Sequence, residues 1–186
     1  MDNNLLDLDA TTKASVLLEA LPYIQRFKDS IFVIKYGGAF MDSSDLSKRK
    51  KIASDIAFLH AVGIKVVIVH GGGKAITNKL KEKSIKSEFK NGLRVSSGPV
   101  IKVVDETLNE KINPDICQDI IEQGAHATQI DGKEILLCKQ QIFTDENDPS
   151  LSYDLGFVGK IYSVKTKIIK KALSNGSIPV ISPLAK

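Results

Sequence analysis

The chain has 186 residues, of which 42% are hydrophobic and 26% are charged, and its formal net charge is +4. This composition is typical of a globular protein with one hydrophobic core. No apolar run approaches the roughly 20 residues that span a bilayer, which argues against a membrane protein. The basic stretches at 48–51 and 78–90 lack a series of aromatic stacking residues and any known module, which argues against nucleic-acid binding.

The N-terminus is acidic and lacks a secretion signal, which predicts a cytoplasmic protein. Cys117 and Cys138 are too few for a disulfide framework and lack the spacing of metal ligands. Both lie among aliphatic residues, so we expect buried free thiols and no metal site.

Residues 13–27 repeat apolar side chains at helical spacing, which predicts an amphipathic helix before the first strand. The stripe consists of Ala14, Leu17, Leu21 and Ile24. Pro22 lacks an N–H group and its ring clashes with the Leu18 carbonyl, so we expect a kink or a break there. The stripe packs either on its own domain or on a partner chain, and the pattern leaves both open.

Two strand–helix units follow. The predicted segments are strands at 31–35 and 65–69, a helix at 44–61 and a helix from about Lys74. The first strand is a continuous apolar run, which is typical of a parallel sheet covered on both faces. Gly63 is a plausible end of the first of these helices. The order strand, helix, strand predicts a βαβ unit.

The rest of the chain continues this alternation. The predicted segments are helices from Pro99 to about Lys111, from Asn113 to Gly124 and at 165–173, and strands at 133–140 and 177–182. Residues 153–164 contain two glycines in an extended stretch and predict a β-hairpin at the edge of the sheet. Residues 90–96 are predicted to be a polar loop.

Two predicted strands end in glycine clusters, in "VIKYGGAF" and "VVIVHGGGKAI". Ligands of open parallel sheets bind beyond the carboxyl ends of the strands. Glycine lets backbone N–H groups approach a ligand, and a helix N-terminus favours an anion. Gly37 and Gly38 with Gly71–Gly73 therefore predict an anion site, most plausibly for phosphate, and Lys35 can direct a positive charge to it. Tight turns with incidental lysines are the alternative.

The known nucleotide fingerprints do not fit these turns. Ala75 follows Lys74, which excludes a P-loop, and Ile76 occupies the position of the last glycine in a dinucleotide-binding turn. Arg94, in "KNGLRVS", could bind a carboxylate with two parallel hydrogen bonds. A surface arginine without such a role is the alternative.

Five stretches in this order resemble the acetylglutamate kinases of the amino acid kinase family. They are "VIKYGGAFM", "VIVHGGGKAI", "NGLRVS", "DLGFVGKI" and "SIPVISP". The resemblance runs from about Lys13 to the end of the chain. The first two stretches are shared widely in the family, whereas "NGLRVS" is specific to the acetylglutamate branch.

The resemblance implies an α/β fold, a three-layer αβα sandwich with a mainly parallel open sheet. It divides the chain into a kinked N-terminal helix at 1–28, a possible oligomerisation arm, and the amino-acid-binding lobe at 29–186. Family members continue beyond "IPVISP", so the C-terminal nucleotide lobe is absent from this sequence.

The resemblance also implies phosphorylation of the side-chain carboxylate of N-acetyl-L-glutamate by ATP with Mg²⁺, in arginine biosynthesis, without a tightly bound cofactor. Lys35 matches the lysine that stabilises the transferring phosphoryl group. Gly37 and Gly38 match donors to the ATP phosphates. Gly72, Gly73 and Arg94 match residues that bind the substrate. A carboxylate is a nucleophile at pH 7, so we assign no catalytic role to histidine.

For partners, the resemblance implies a homodimer. Arginine-inhibited members have a kinked helix before the first strand, which implies a hexamer with arginine as feedback inhibitor. Two alternatives remain open: a non-catalytic lobe that binds acetylglutamate or assembles with full-length subunits, and another amino acid kinase.

Overall fold

The computed structural model describes residues 9–37, 46–144 and 152–186. The helices are α1 (Ala10–Phe27), α2 (Leu46–Ala61), α3 (Gly73–Glu82), α4 (Gly98–Glu106), a π-helix (Thr107–Ile112), α5 (Asn113–Ile121), α6 (Gly132–Ile135) and α7 (Lys167–Ser174). The strands are β1 (Ile31–Tyr36), β2 (Lys65–His70), β3 (Phe89–Lys90), β4 (Leu93–Arg94), β5 (Ala127–Ile130), β6 (Leu136–Thr144), β7 (Ser152–Val164) and β8 (Ile178–Ile181).

The central sheet has four parallel strands in the order β1-β2-β8-β5. β1 and β2 pair along all six residues, from Ile31 opposite Lys65 to Tyr36 opposite His70. The predicted parallel unit is therefore confirmed. The helix between these strands ends where expected, because Gly63 has φ +92°, a conformation that favours glycine.

Helices pack on both faces of this sheet, so the predicted three-layer α/β architecture is confirmed. The larger core lies between the sheet and α2, α3, α4, the π-helix and α5. The smaller core lies on the other face. Its members are Val67, Ile130, Ile135 and Ile181, with Ile169 and Leu173 of α7 packed against them.

The prediction that β1 is covered on both faces is wrong. Phe32, Ile34 and Tyr36 pack in the larger core, whereas Ile31 and Val33 are 57% and 68% exposed. The physical reason is that α7 packs on β2 and β8, and the outward face of β1 stays uncovered in the part of the chain that the structure describes.

The predicted helix from Pro99 to Lys111 changes type halfway. It is an α-helix as far as Glu106 and a π-helix from Thr107 to Ile112, and α5 follows without a gap. In a continuous α-helix the Pro114 ring would clash with the carbonyl of Glu110. The wider π turn lies immediately before this proline and accommodates it.

Three further predictions differ from the structure. α1 runs through Pro22 without interruption, so the predicted break is wrong. A proline removes one hydrogen bond, and the turns on either side retain theirs.

Residues 132–135 form a short helix capped by the Asp131 side chain, so the strand expected from residue 133 begins only at Leu136. β5 was not predicted, because its exposed Thr128 and Gln129 interrupt the apolar pattern.

The β6–β7 hairpin is present, as predicted, but it forms its own two-stranded sheet. Its expected place at the edge of the central sheet is wrong. The reason lies at its first residues: Lys186 donates its N–H to the Leu136 carbonyl and accepts from the Cys138 N–H. The chain end therefore occupies hydrogen-bonding groups of β6 that a central strand would need.

Both cysteines are free, and Cys117 is buried as predicted, whereas Cys138 is only partly buried. Burial raises the pKa of the Cys117 thiol to about 12. Across residues 9–37, 46–144 and 152–186, no helix combines the length and apolar character that crossing a membrane requires.

Candidate active site

The two glycine turns lie side by side at the carboxyl edge of the sheet. The Gly71 N–H donates to the Tyr36 carbonyl at 2.8 Å, directly beyond the paired ends of β1 and β2. Gly37 follows Tyr36, and a Cβ built on it would have no heavy atom within 4 Å. The predicted proximity of the turns is confirmed. Gly38 lies outside the described residues.

Gly72 and Gly73 are glycines for different reasons. A Cβ at Gly72 would lie 2.7 Å from methyl groups of Leu108 and Ile112 in the π-helix. Gly72 has φ 179°, which any residue adopts, so only the lack of space requires glycine there. Gly73 begins α3 and has nothing within 4 Å of a built Cβ. Gly72 therefore packs the turn, and Gly73 leaves open space beside the helix N-terminus.

Arg94 reaches this open space from a small hairpin. The sequence pattern predicts a polar loop there, so that prediction is wrong. β3 and β4 pair around Asn91 and Gly92, which have φ +47° and +76°. The Arg94 Nη2 donates to the Gly73 carbonyl at 3.1 Å and to the Thr77 Oγ1 at 2.8 Å. The hairpin therefore carries the guanidinium to the first turn of α3.

Two more contacts orient the Arg94 side chain. Its Nη1 donates to the Ser87 hydroxyl, and its guanidinium carbon lies 4.5 Å from the centre of the Phe89 ring. A guanidinium has five N–H donors. The three bonds to Gly73, Thr77 and Ser87 leave two donors for an incoming oxygen.

Arg94 has no acidic partner in the described parts of the chain. The ion pairs found there join other side chains. Partial burial lowers the pKa of Arg94, as expected for a cation removed from water without a compensating carboxylate. Together with the positive end of the α3 dipole, this guanidinium produces a local positive potential that suits a carboxylate or a phosphate.

Lys35 lies at the tip of β1, opposite Val69 of β2, and its side chain is exposed. It shares a sheet face with Val33, because alternate residues of a strand point to the same side. The core contacts of α3, through Ile76 and Leu80, lie on the other face with Tyr36. The structure thus brings Gly72, Gly73 and Arg94 together and places Lys35 and Gly37 on the neighbouring strand tip. The joint action of the two groups stays a prediction.

His70 is a feature of the site that we did not predict. It ends β2 immediately before the triple glycine, is only 2% exposed, and its Nδ1 lies 3.0 Å from the Gly71 carbonyl. A carbonyl only accepts, so Nδ1 carries the proton. Burial holds the pKa of His70 below its ordinary value of 6.5. A neutral imidazole therefore holds the first peptide of the glycine turn.

A cavity of about 650 Å³ lies on the opposite side of α3 from Arg94. Its charged lining consists of Arg49, Lys74, Lys79 and Lys111 with Glu82, Glu106, Glu110 and Asp115. Positive and negative side chains are equal in number, so this cavity does not favour an anion. Among the residues that the structure describes, no cluster of three or more His, Cys, Asp or Glu could hold a metal ion.

Comparison with known sequences places this site in a family context. A model of the amino acid kinase family matches residues 30–186. An acetylglutamate kinase of Campylobacter fetus subsp. fetus is 43% identical over 178 residues, which are 96% of this chain and 60% of the relative. One from Akkermansia muciniphila is 40% identical and is matched over 94% of this chain and 57% of its own length. The chain thus spans less than two thirds of these relatives.

Solved structures show the same fold. N-acetylglutamate synthase from Neisseria gonorrhoeae, complexed with coenzyme A and N-acetyl-glutamate, superimposes with a TM-score of 0.73 at 19% identity, over 92% of this chain and 38% of that one. The protein smu.665 from Streptococcus mutans UA159 has a TM-score of 0.68 at 26% identity, over 83% of this chain and 59% of its own.

The packing of Gly72 generates a first prediction. Gly72→Ala forces a methyl group against Leu108 and Ile112, and overpacking of this kind costs about 1–3 kcal/mol of unfolding free energy. Gly73→Ala is the matched control, because its methyl group meets open space. Urea unfolding followed by circular dichroism measures both. Equal stability of the two variants would contradict the packing role.

The burial of His70 generates a second prediction. Because its folded-state pKa lies below the unfolded value of 6.5, the unfolded chain binds more protons, and stability present above pH 6.5 is lost as the pH falls below it. The slope is at most about 1.4 kcal/mol per pH unit. We expect His70→Asn to flatten the dependence of unfolding free energy on pH between 7.5 and 5.5. The exposed His126 provides the control His126→Gln, which should keep the slope; an unchanged slope in His70→Asn would refute the assignment.

Proposed function

The chain belongs to the amino acid kinase family, and from this premise we propose that it is the amino-acid-binding lobe of an acetylglutamate kinase. The proposed reaction transfers the γ-phosphoryl group of ATP to the side-chain carboxylate of N-acetyl-L-glutamate and gives N-acetyl-L-glutamyl 5-phosphate, in arginine biosynthesis. The acetylglutamate kinase relatives at 40–43% identity support this choice within the family.

One observation carries the substrate proposal. The Arg94 guanidinium is held against Gly73 and Thr77 at the first turn of α3 without an acidic partner among the described residues. Removing a cation from water costs free energy unless an anion or hydrogen bonds compensate it. A carboxylate of acetylglutamate would supply the charge that the protein does not, and the two remaining guanidinium donors can each bond to one of its oxygens.

In the proposed reaction, this lobe mainly positions the substrate and neutralises charge. The acceptor carboxylate is already a nucleophile at neutral pH, so no general base is needed, and His70 remains a structural residue. We assign Lys35 to the phosphoryl group in transfer and Gly37 and Gly38 to the ATP phosphates, with Mg²⁺ entering as the ATP complex. The position of Gly37 beside the Gly71–Gly73 turn supports a shared place for the two substrates.

We propose a homodimer and, through the helix in residues 1–28, a hexamer that arginine inhibits. The exposed apolar side chains of α1 support association through this helix; they are Val16, Leu17, Leu18, Leu21 and Tyr23. We further propose a cytoplasmic location, in keeping with the proposed biosynthetic reaction.

A second function, a binding lobe without catalysis, is favoured by one observation: the 186 residues match only 60% of the Campylobacter fetus relative. For the 186-residue chain, only turnover separates the two functions, because binding without turnover fits both. We expect it to bind acetylglutamate in calorimetry and to show no steady-state formation of acetylglutamyl phosphate above background, because the kinase reaction requires the additional part. Turnover by this chain would refute the binding-only function.

The role of Arg94 is tested by calorimetry with N-acetyl-L-glutamate. We expect Arg94→Ala to weaken binding by about 2 kcal/mol, the loss of a desolvated charged hydrogen-bonded pair, which is roughly thirtyfold in Kd. Lys35→Ala should leave acetylglutamate affinity nearly unchanged, because its proposed partner is the phosphoryl group.

Arg26→Ala is the matched control, since Arg26 also lies over a phenylalanine ring, that of Phe27, but on α1. Unchanged affinity in Arg94→Ala would reject the acetylglutamate assignment. Weaker affinity in Lys35→Ala equal to that in Arg94→Ala would reject the division of roles between the two cations.

A further inference from the structure

The residue two positions after Arg94 bonds to strand β7 through both of its backbone groups. The Ser96 N–H donates to the Leu155 carbonyl, and the Ser96 carbonyl accepts from the Phe157 N–H, both at 2.8 Å. Ser96 is 7% exposed, and Leu155 is fully buried. The β6–β7 hairpin is therefore joined, through buried backbone, to the chain segment that carries Arg94.

The same strand also contacts the turn of the Arg94 hairpin. The Asn91 Nδ2 donates to the Tyr153 hydroxyl, and the Lys90 Nζ lies 5.4 Å from the centre of the Tyr153 ring. The ring of Phe143, from β6, stacks on the Tyr153 ring with 6.4 Å between their centres. Because β7 bonds to both the turn and the base of this hairpin, we expect the two hairpins to move together.

Gly156 lies between the two residues that bond to Ser96, and its position requires glycine for two reasons. Its φ is +74°, in the left-handed region that favours glycine. A Cβ built on it would also lie 2.4 Å from the Ser96 carbonyl oxygen, which is too close for any Cβ. Because that oxygen belongs to the backbone, a side chain at position 156 would displace Ser96 itself.

Two polar side chains fix the conformation of Gly156. Its N–H donates to the Asp154 Oδ1 at 2.7 Å. The Gln140 Nε2 donates to both Asp154 carboxylate oxygens at 3.1 Å and to the Gly156 carbonyl at 3.4 Å. These contacts give a physical reason for the stretch "DLGFVGKI", because its aspartate, leucine and first glycine together build the surface that holds Ser96.

We propose that Gly156 is a positioning residue for Arg94 and acts through Ser96 rather than on the substrate. The proposal rests on the proposed function, in which Arg94 binds a carboxylate of acetylglutamate. The Ser96 Oγ donates to the Arg94 carbonyl at 3.2 Å, so a displacement of Ser96 moves the peptide from which the Arg94 side chain extends. A binding group must be held to within about 0.5 Å of its productive position, and the contact of Gly156 with Ser96 provides this restraint.

The first test observes the Arg94 guanidinium without any substrate. Its Nη groups bond to Gly73, Thr77 and Ser87, so rotation of the guanidinium should be slow. We expect separate Nη proton signals in ¹⁵N-edited nuclear magnetic resonance, identified by their loss in Arg94→Ala. In Gly156→Ala these signals should merge.

Gly124→Ala is the matched control for this experiment. Gly124 has φ +83°, and a Cβ built on it meets no heavy atom within 4 Å. Both variants therefore place alanine in the left-handed region, but only Gly156→Ala displaces Ser96. Gly124→Ala should keep the separate Arg94 signals.

The second test measures acetylglutamate affinity by calorimetry in a double-mutant cycle. We expect Gly156→Ala to raise Kd about tenfold, an effect typical of residues coupled through one hydrogen-bonded network. Gly124→Ala should leave Kd unchanged. In the Arg94→Ala background, Gly156→Ala should have no further effect, because the residue through which it acts is gone.

Asp154 provides a second pair of variants if Gly156→Ala does not fold, which circular dichroism checks. Asp154→Ala removes the acceptor of the Gly156 N–H, so we expect it to merge the Arg94 signals and raise Kd. Asp154→Asn keeps a carbonyl oxygen at the same place and should retain the behaviour of the unmodified chain.

Three results would overturn the positioning role. The first is a set of separate Arg94 signals that persists in folded Gly156→Ala and Asp154→Ala, or signals that are already merged in the unmodified chain. The second is an equal effect of Gly124→Ala. The third is a rise in Kd on Gly156→Ala that is as large in the Arg94→Ala background. If the unmodified chain does not bind acetylglutamate, the proposed function fails, and the resonance comparison still decides whether Gly156 positions Arg94.

Discussion

The parallel pairing of β1 with β2 is the constraint on which the candidate site depends. Parallel neighbours require a crossover, here through α2, and therefore end at the same edge of the sheet. The bond from Gly71 to the Tyr36 carbonyl closes that pairing and sets both glycine turns side by side. Without it, the cation at the end of β1 and the turn that opens α3 would have no fixed relation.

In the second glycine turn, the residues that pack the turn differ from the residues that line its open side. Gly72 lets the π-helix approach through Leu108 and Ile112, and buried His70 holds the Gly71 peptide. These contacts fix the turn on its buried side. Gly73 and Arg94 then face the open side, where a preorganised cation needs little rearrangement to accept an anion.

The same sheet separates the residues that we assign to the amino acid from those that we assign to the phosphoryl group. The groups assigned to the amino acid lie at the N-terminus of α3, a helix that packs in the larger core through Ile76 and Leu80. Lys35 lies on the strand whose outer face is uncovered. A phosphoryl-transfer site needs charge from several directions, and β1 offers one cation at an open edge.

The sequence by itself determined the parallel α/β class, most element positions and the proximity of the two glycine turns, because these follow from local apolar periodicity and from glycine. Tertiary structure alone decided the rest. The sequence pattern does not predict β5, because this edge strand lacks an apolar run. The π-helix depends on how Pro114 and Gly72 are packed. Arg94 contacts Gly73, which lies 21 residues earlier in the chain, and Val33 is exposed. Both facts depend on which elements meet in space, and local sequence patterns carry no information about such contacts.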